Sequence, residues 1–346
     1  MKTLNLKTLL AATAATACSC FLAGQPAQAG FKTLNSDWNI VYDSFNDGTT
    51  GRVVGTLSDY EMFGMAAKVV DNQAYFAFNG NLGLEGKNGI TYGDLFFNFT
   101  DMNFKDASAA GKLFAVRFAP NDAGVEEYGV YENVTAKGVA KTNSGHSGFG
   151  SYQNKVETQR TDNTPGVAEG SHGTVGFGDL TPEGAREYLA QETYMKKVTK
   201  KVPYIKRIKA NGKIVWGKKN VKEYVPKTRI SDKNYSIQNV IASGDWMDDI
   251  VTLGDEELAG LDFGTNDETK FAKAKTFGFK FDLANLPEGD ALISLLHECI
   301  NDGMAMKANF VAAPPGIGVD VPEPTSIVSL GLIGLALAGG QLRKKS

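Results

Sequence analysis

The chain has 346 residues, of which 42% are hydrophobic and 10% aromatic, and its formal net charge is −3. This apolar content supports a sizeable core and excludes a globally disordered chain. The 39 glycines and the many short apolar runs favour a turn-rich β protein over a helical one. The charge is uneven, since residues 194–233 carry 14 Lys/Arg and two acidic residues, a local balance of +12 that leaves −15 elsewhere.

Residues 1–29 have the pattern of a secretory signal peptide. Lys2 and Lys7 form a basic start, an apolar and small-residue stretch covers 8–24, and Ala27-Gln28-Ala29 fits the small-x-small cleavage pattern. We therefore predict cleavage after Ala29 and export of the chain. Because Cys18 and Cys20 would be removed, the mature protein keeps Cys299 and has no intramolecular disulfide. A first core helix is the alternative interpretation.

Two turn segments offer hard oxygen ligands for a cation. Asp43 and Asp47 lie in the segment 43–48, and Asp302 lies in Asn301-Asp302-Gly303. Neither segment matches the twelve-residue EF-hand loop, and Asn, Asp and Gly are also favoured in turns for backbone reasons. We predict no cofactor, with calcium at Asp43, Asp47 and Asp302 as the open alternative. The three histidines are far apart in the sequence and do not have zinc-ligand spacing.

The body, residues 30–312, shows repeated apolar alternation with period two. Such rows, separated by Gly/Asn/Asp turns, are typical of antiparallel sheets with one buried face. The predicted fold is therefore all-β, an antiparallel β-sandwich or jelly-roll-like domain with a basic β-hairpin insertion. The rows cover residues 95–99, 114–118, 277–281, 293–299 and 304–310.

Helix signals are sparse. Thr181 followed by Pro182 predicts an N-cap and a short helix to about Thr193. Asp255-Glu256-Glu257-Leu258 predicts a second helix of one or two turns, closed by Gly260. Residues 141–180 are rich in Gly, Ser, Asn and Thr, and we expect them to form a long loop.

Residues 194–233 form the basic insertion. Asn211-Gly212 predicts a two-residue hairpin turn, and residues 223–225 predict a third short strand. Aromatic residues interleaved with lysines could stack on sugars while the cations pair with carboxylate or sulfate. The expected partner is an anionic exopolysaccharide or the cell envelope rather than nucleic acid, and the alternative is a solvated insertion whose lysines protect strand edges. The candidate polyanion-binding residues are Lys206, Arg207, Lys209, Lys213, Trp216, Lys218 and Lys219.

No catalytic residue is predicted. A glycosidase needs two carboxylates facing one cleft at a set separation, and the sequence singles out no such pair. It also lacks a nucleophile elbow, a P-loop and a dinucleotide-binding fingerprint.

The C-terminus combines a Pro/Gly linker at 313–320 with a distinctive tail at 321–346. The tail contains Pro322-Glu323-Pro324, an apolar run at 325–342 and the basic cluster Arg343-Lys344-Lys345. The run is just long enough to cross a bilayer, and the basic cluster predicts a cytoplasmic end.

This tail closely resembles the PEP-CTERM sorting signal, which is read by the membrane protease-transpeptidase exosortase. The resemblance implies cutting near Pro322, Glu323 and Pro324 after export by the secretion machinery, with the run at 325–342 holding the chain in the membrane before processing. An uncut single-pass anchor is the alternative. The body also resembles a group of cyanobacterial exosortase-dependent surface proteins, at residues 42–48, 93–98, 128–131, 278–282, 286–290 and 298–303.

The sequence therefore predicts an exported cell-surface or extracellular-matrix protein without enzymatic activity. Its expected role is adhesion, envelope structure or exopolysaccharide association. A secreted carbohydrate-binding or carbohydrate-active protein on the same scaffold is the alternative, and a membrane-anchored calcium-dependent adhesin is a third.

Overall fold

The computed structural model describes residues 30–158 and 173–311. The predicted signal peptide, linker and sorting tail, including the apolar run at 325–342, lie outside the described residues. Within the described residues, no helix has both the length and the hydropathy needed to span a bilayer.

Two large sheets form the framework. The strands of the seven-stranded sheet are Lys32–Thr33 (β1), Leu95–Asn98 (β7), Leu113–Arg117 (β8), Gly129–Lys137 (β9), Val240–Asp248 (β12), Gly289–Leu296 (β15) and Gly303–Phe310 (β16). The strands of the five-stranded sheet are Asn39–Tyr42 (β2), Met62–Val70 (β5), Gln73–Gly80 (β6), Val251–Thr252 (β13) and Lys275–Asp282 (β14).

The first sheet has the order β1-β16-β15-β7-β8-β9-β12, and the second has the order β13-β14-β6-β5-β2. All neighbouring strands in these sheets are antiparallel except β1 and β16, so the all-β, antiparallel prediction is confirmed.

An aromatic core lies between these two sheets. Phe76 of the five-stranded sheet meets Phe97 of the seven-stranded sheet edge to face, with ring centroids 5.3 Å apart. Phe78 stacks on Phe118 at 5.5 Å. Burying each such ring contributes about 2–3 kcal/mol, so these phenylalanines hold the sheets together.

The central strands of the seven-stranded sheet are buried on both faces, which the one-sided alternation did not predict. Its second face is covered by three helices, Phe104–Ala109 (α1), Phe149–Thr158 (α2) and Pro182–Ala190 (α3). In β7, Phe97 points into the aromatic core while its neighbour Phe96 packs against Phe104 of α1, with centroids 5.0 Å apart. The alternation predicted the strand correctly but not the helical layer behind it.

The helix predictions are confirmed in part. Thr181 Oγ1 accepts a hydrogen bond from the Gly184 N–H at 3.1 Å, as expected for an N-cap, but α3 ends at Ala190 because a long strand begins at the next residue. The second expected helix is α4, Asp255–Leu258. The prediction of an unbroken loop over 141–180 is wrong because α2 lies within it, burying Phe149, Tyr152 and Val156.

Two hairpins of the described fold, one short and one long, lie outside the two large sheets. One pairs Thr49–Thr50 (β3) with Val53–Val54 (β4). The other pairs Gln191–Ile208 (β10) with Ile214–Ile230 (β11) and is called the ribbon below. A 3₁₀ turn, Leu283–Asn285, precedes β15.

The ribbon corrects two details of the predicted insertion. It is one long hairpin, so residues 223–225 belong to β11 instead of forming a third strand. Its loop has three residues, 210–212, because the Gly212 N–H donates to the Lys209 carbonyl and the Lys209 N–H donates to the Lys213 carbonyl. Gly212 has φ +76°, the left-handed conformation that glycine adopts at the end of a three-residue hairpin loop.

Candidate functional site

Four buried carboxylates meet at one end of the two sheets, and we call them the carboxylate cluster: Asp43, Asp47, Glu61 and Asp302. Asp43 and Asp47 lie in the turn between β2 and β3, Glu61 directly precedes β5, and Asp302 directly precedes β16. Their exposed fractions are 8%, 0%, 0% and 1%, respectively. Charged side chains are rarely buried to this extent unless they are paired or bind a metal.

The spacing of three of these residues fits one ion. Carboxylate oxygens of Asp43, Asp47 and Asp302 all lie within 4.8 Å of one another. Because calcium–oxygen distances are about 2.3–2.6 Å, two ligands of one ion are at most about 5 Å apart. The structure thus brings together the three residues that the sequence offered as calcium ligands, although Asp302 is far from the other two along the chain.

Each carboxylate of the cluster is anchored by a backbone N–H. Asp47 Oδ2 accepts from Gly176 at 2.6 Å, and Asp43 Oδ1 accepts from Gly178 at 3.3 Å. The remaining two anchors are Gly48 N to Glu61 Oε2 at 2.7 Å and Met62 N to Asp302 Oδ2 at 2.8 Å.

The second oxygens of three carboxylates are left without a partner. Asp43 Oδ2, Asp47 Oδ1 and Glu61 Oε1 are buried and make no hydrogen bond. Asp302 Oδ1 instead accepts from the Tyr152 hydroxyl at 3.2 Å and the Gly303 N–H at 2.7 Å. An unpaired buried acceptor costs about 1–3 kcal/mol, and more when it is charged, so three in one place make the cluster a candidate binding site.

The electrostatics of the cluster point the same way. Burial raises the pKa of Asp43 to about 7 and raises the pKa values of Asp47, Glu61 and Asp302 well above their usual range. For the last three, the negative charge of the neighbouring carboxylates raises the pKa further. Burial and mutual repulsion of the four carboxylates therefore favour the uptake of positive charge by the cluster, either as protons or as a cation.

Glu61 and Tyr152 were missed at the sequence level. Glu61 directly precedes an apolar strand. The sign of it in the sequence was a single carboxylate immediately before Met62-Phe63. Tyr152 lies in α2, inside the segment predicted as a loop, and burial raises the pKa of its hydroxyl so that the group stays a donor. The spacing of Phe149, Tyr152 and Val156 along one helix face was the sign of that helix.

The histidines do not contribute to a metal group in the described part of the chain, where the cluster of potential ligands consists of aspartates. His297 is fully buried beside Tyr92, with ring centroids 4.8 Å apart, and burial lowers its pKa to about 3. His146 bonds Thr49 Oγ1 through Nε2 at 3.0 Å, and His172 lies outside the described residues. Cys299 is 1% exposed, so its thiol lies in the core.

The ribbon is the second candidate site. Its strands have 18 and 17 residues, so it is roughly 60 Å long at about 3.3 Å per residue. Its base is fixed by the Thr193 N–H donating to Asp106 Oδ1 at 3.0 Å and by the Ser231 N–H donating to the Ala190 carbonyl at 2.7 Å. None of residues 191–230 is buried.

The register gives the ribbon two different faces, since directly opposed residues share a face and successive residues alternate. The tryptophan face pairs Ile205 with Trp216 and Lys197 with Tyr224, and both aromatic side chains are 61% exposed. Its lysines are Lys197, Lys201, Lys218 and Lys222.

The opposite face, the valine face, contains the half-buried Val198, Val202, Val221 and Val225 together with Lys196, Lys200, Lys219 and Lys227. Here Lys200 pairs with Glu223 at 2.5 Å. Tyr204 also lies on this face, packed across Gly217, where an added Cβ would lie 2.7 Å from the ring.

The predicted polyanion-binding residues are therefore split between different parts of the ribbon. Trp216 and Lys218 share the tryptophan face, whereas Lys219 lies on the valine face. Lys209 and Lys213 flank the loop, and Lys206 and Arg207 lie at the irregularity in register after Ile205.

An open pocket at the edge of α2 and α3 does not provide a pair of catalytic carboxylates. The described lining of this pocket contains a single carboxylate, Asp232. Asp232 Oδ2 accepts hydrogen bonds from Arg186 Nε at 2.6 Å and from the Gly150 N–H at 3.3 Å. A carboxylate held in an ion pair is suited to fixing structure.

Comparison with protein families gives one match, to the PEP-CTERM protein-sorting motif at residues 320–345. The matched range contains Pro322, Glu323, Pro324 and the terminal basic cluster, all outside the described residues. No curated protein and no solved structure matches the chain. The sorting motif indicates an exported, surface-directed protein that is processed by an exosortase.

Proposed function

We propose that this chain is a non-enzymatic cell-surface or matrix protein whose ribbon binds an acidic exopolysaccharide outside the cell. The sorting motif supports the location. The tryptophan face carries the rest of the proposal, because it presents four lysines and two exposed aromatic rings on one side of an uncovered ribbon, with Lys201, Lys218 and Lys222 between the rings and Lys197 opposite Tyr224.

The chemistry of the tryptophan face suits a linear polyanion. Trp216 and Tyr224 are eight residues apart on one strand, or roughly 26 Å, which is long enough for several sugar rings. Indole and phenol faces pack on apolar sugar faces, while Lys218 and Lys222 between them meet carboxylate or sulfate groups. Each exposed lysine contributes little alone, but several acting on one polymer add their effects and make binding sensitive to salt.

The exposure of the ribbon also supports the proposal that it binds a partner. Two-stranded hairpins without a covering layer are marginally stable in water. The ribbon carries 13 Lys/Arg against Glu192 and Glu223, so its own charge repulsion opposes pairing of the strands. A bound polyanion screens that repulsion and covers the exposed side chains.

The test compares two fourfold lysine-to-glutamine variants of the full chain on a column of immobilised alginate, an acidic polysaccharide. The tryptophan-face variant changes Lys197, Lys201, Lys218 and Lys222. The matched control changes Lys196, Lys200, Lys219 and Lys227 on the valine face, which removes the same charge from the same strands.

We expect the tryptophan-face variant to elute at clearly lower salt than the unmodified protein, and Trp216→Ala to weaken retention further. The valine-face control should keep most of its retention. Equal losses for the two variants would show that retention depends on net charge and not on the tryptophan face. Unchanged retention in both would contradict the proposal.

The proposal includes no catalytic step. The runner-up, a carbohydrate-active enzyme on the same scaffold, requires two carboxylates across an open cleft. The carboxylate cluster is instead buried and anchored to backbone N–H groups, which makes it unsuited to reach a sugar.

A further inference from the structure

We propose that the carboxylate cluster is a calcium site that ties together four segments of the domain and stabilises the exported protein. The ligands are Asp43, Asp47 and Asp302, joined by Glu61. This proposal is independent of the ribbon and of its ligand.

The unpartnered oxygens are the observation that points to a cation. Asp47 Oδ1 and Glu61 Oε1 belong to side chains with no exposed surface, and Asp43 Oδ2 is likewise without a donor. The charge of Glu61 acts on Asp47, and those of Asp302 and Asp43 act on Glu61, so the fourth carboxylate belongs to the same electrostatic group. One cation among Asp43, Asp47 and Asp302, whose carboxylate oxygens lie within 4.8 Å of one another, would engage an oxygen of each at once, whereas a carboxylic O–H donates a single hydrogen bond.

The chemistry of the donors selects calcium over other common cations. All the side-chain ligands are hard carboxylate oxygens, which excludes the nitrogen and sulfur ligand sets preferred by zinc. Magnesium keeps several waters and demands near-octahedral geometry, which a closed cage of protein carboxylates does not favour. Calcium accepts six to eight oxygens at about 2.3–2.6 Å and tolerates irregular cages.

The backbone around the cluster is already arranged to hold these ligands. The N–H groups of Gly48, Gly176 and Gly178 each fix one oxygen of Glu61, Asp47 and Asp43 and leave the opposite oxygen without a donor. Asp302 is held at both oxygens, by the Met62 N–H at Oδ2 and by Tyr152 and Gly303 at Oδ1. A cation would therefore meet ligands that have little conformational freedom left to lose. Such preorganisation favours binding.

The site joins parts of the chain that are distant in sequence. Asp43 and Asp47 come from the β2–β3 turn, Glu61 from the start of β5 and Asp302 from the start of β16. The segment with Gly176 and Gly178 precedes α3 and closes the cluster. An ion here would act as a cross-link between both sheets and the helical layer, filled outside the cell, where calcium sites with dissociation constants near 0.1–1 mM are common.

The experiment uses the full chain in detergent micelles, depleted of divalent cations and then given CaCl₂ or MgCl₂ at about 2 mM. Calcium binding is measured by isothermal titration calorimetry, and the unfolding midpoint is followed by circular dichroism. We expect a calcium-dependent rise in the midpoint of about 4 °C if the dissociation constant is near 0.1 mM and about 2 °C if it is near 1 mM. Magnesium should produce a much smaller rise.

Two variants make the test specific. Asp47→Asn removes one charge from the cluster, so it should lose most of the calcium-induced rise but unfold at a higher temperature than the unmodified protein in calcium-depleted buffer. The matched control is Asp94→Asn, another fully buried aspartate, which is held by Asn121 Nδ2 at 2.7 Å and the Ile241 N–H at 2.6 Å. It should alter the baseline stability and keep the full calcium response.

Absence of both heat and midpoint shift in the unmodified protein would overturn the proposal. So would equal calcium responses in Asp47→Asn and Asp94→Asn, because they would place the ion elsewhere. If Asp47→Asn does not fold, Glu61→Gln replaces it with the same expected outcome, since its Oε1 is an unpartnered oxygen of the same cluster.

Discussion

Replacing Gly176 with alanine tests whether the segment before α3 closes the carboxylate cluster. A Cβ at this position would lie 2.4 Å from Asp43 Oδ1 and 2.5 Å from the backbone nitrogen of Ser44. Ordinary contacts are 3.4 Å or longer, so the segment must move away by about 1 Å.

That movement weakens two hydrogen bonds to carboxylates, from Gly176 N to Asp47 Oδ2 and from Gly178 N to Asp43 Oδ1. A hydrogen bond to a charged group contributes about 1.5–3 kcal/mol, and overpacking costs about 1–3 kcal/mol. Because partial relaxation recovers some of this, we expect Gly176→Ala to lower the free energy of unfolding by about 3 kcal/mol.

The assay is urea unfolding at saturating calcium, with Gly83→Ala as the control. The nearest atom to a Cβ at Gly83 is Lys275 Nζ at 3.2 Å, the end of a flexible side chain, so this variant should change stability by less than about 0.5 kcal/mol. Equal unfolding curves for the two variants would refute the role assigned to the segment.

Two further predictions concern titration and reactivity. Burial raises the pKa of Asp43 to about 7 from 3.8, so between about pH 4 and 7 the folded protein binds more protons than the unfolded chain. The contribution of Asp43 to stability without calcium therefore falls as pH rises. Calcium competes with those protons, so the calcium-induced gain in stability should grow from pH 5 to pH 8 in urea titrations, and parallel curves with and without calcium would contradict this. Burial also raises the pKa of Cys299 to about 12. In the mature protein, which lacks Cys18 and Cys20, a thiol reagent at pH 8 should therefore label the urea-unfolded chain quickly and the folded protein hardly at all. Rapid labelling of the folded protein would show that the β15–β16 turn opens.

The strands were predictable because their side chains repeat with period two. Residues 277–281 and 304–310 alternate along the chain, and they form β14 and β16. The helical layer was harder to predict because α2 is short and lies among Gly, Ser and Asn residues. Its helical periodicity rests on Phe149, Tyr152 and Val156, and tertiary packing stabilises such a helix more than intrinsic propensity does.

The candidate sites show the same division. Turn chemistry drew attention to Asp43, Asp47 and Asp302, but their proximity depends on how β2, β5 and β16 pack, which no local pattern specifies. Glu61 was missed for this reason. In the ribbon, composition predicted the basic character, whereas the separation of Trp216 from Tyr204 onto opposite faces depends on the strand register.

The central claim is that the two ends direct the chain to the cell surface and that the domain between them functions there. Intact-mass measurement of the protein recovered from the outer surface and the medium tests this most directly. We predict a chain that begins at Gly30 and ends near Pro322–Pro324, with the residues beyond that motif removed. Recovery of the protein from the cytosol with both Met1 and Ser346 intact would contradict it.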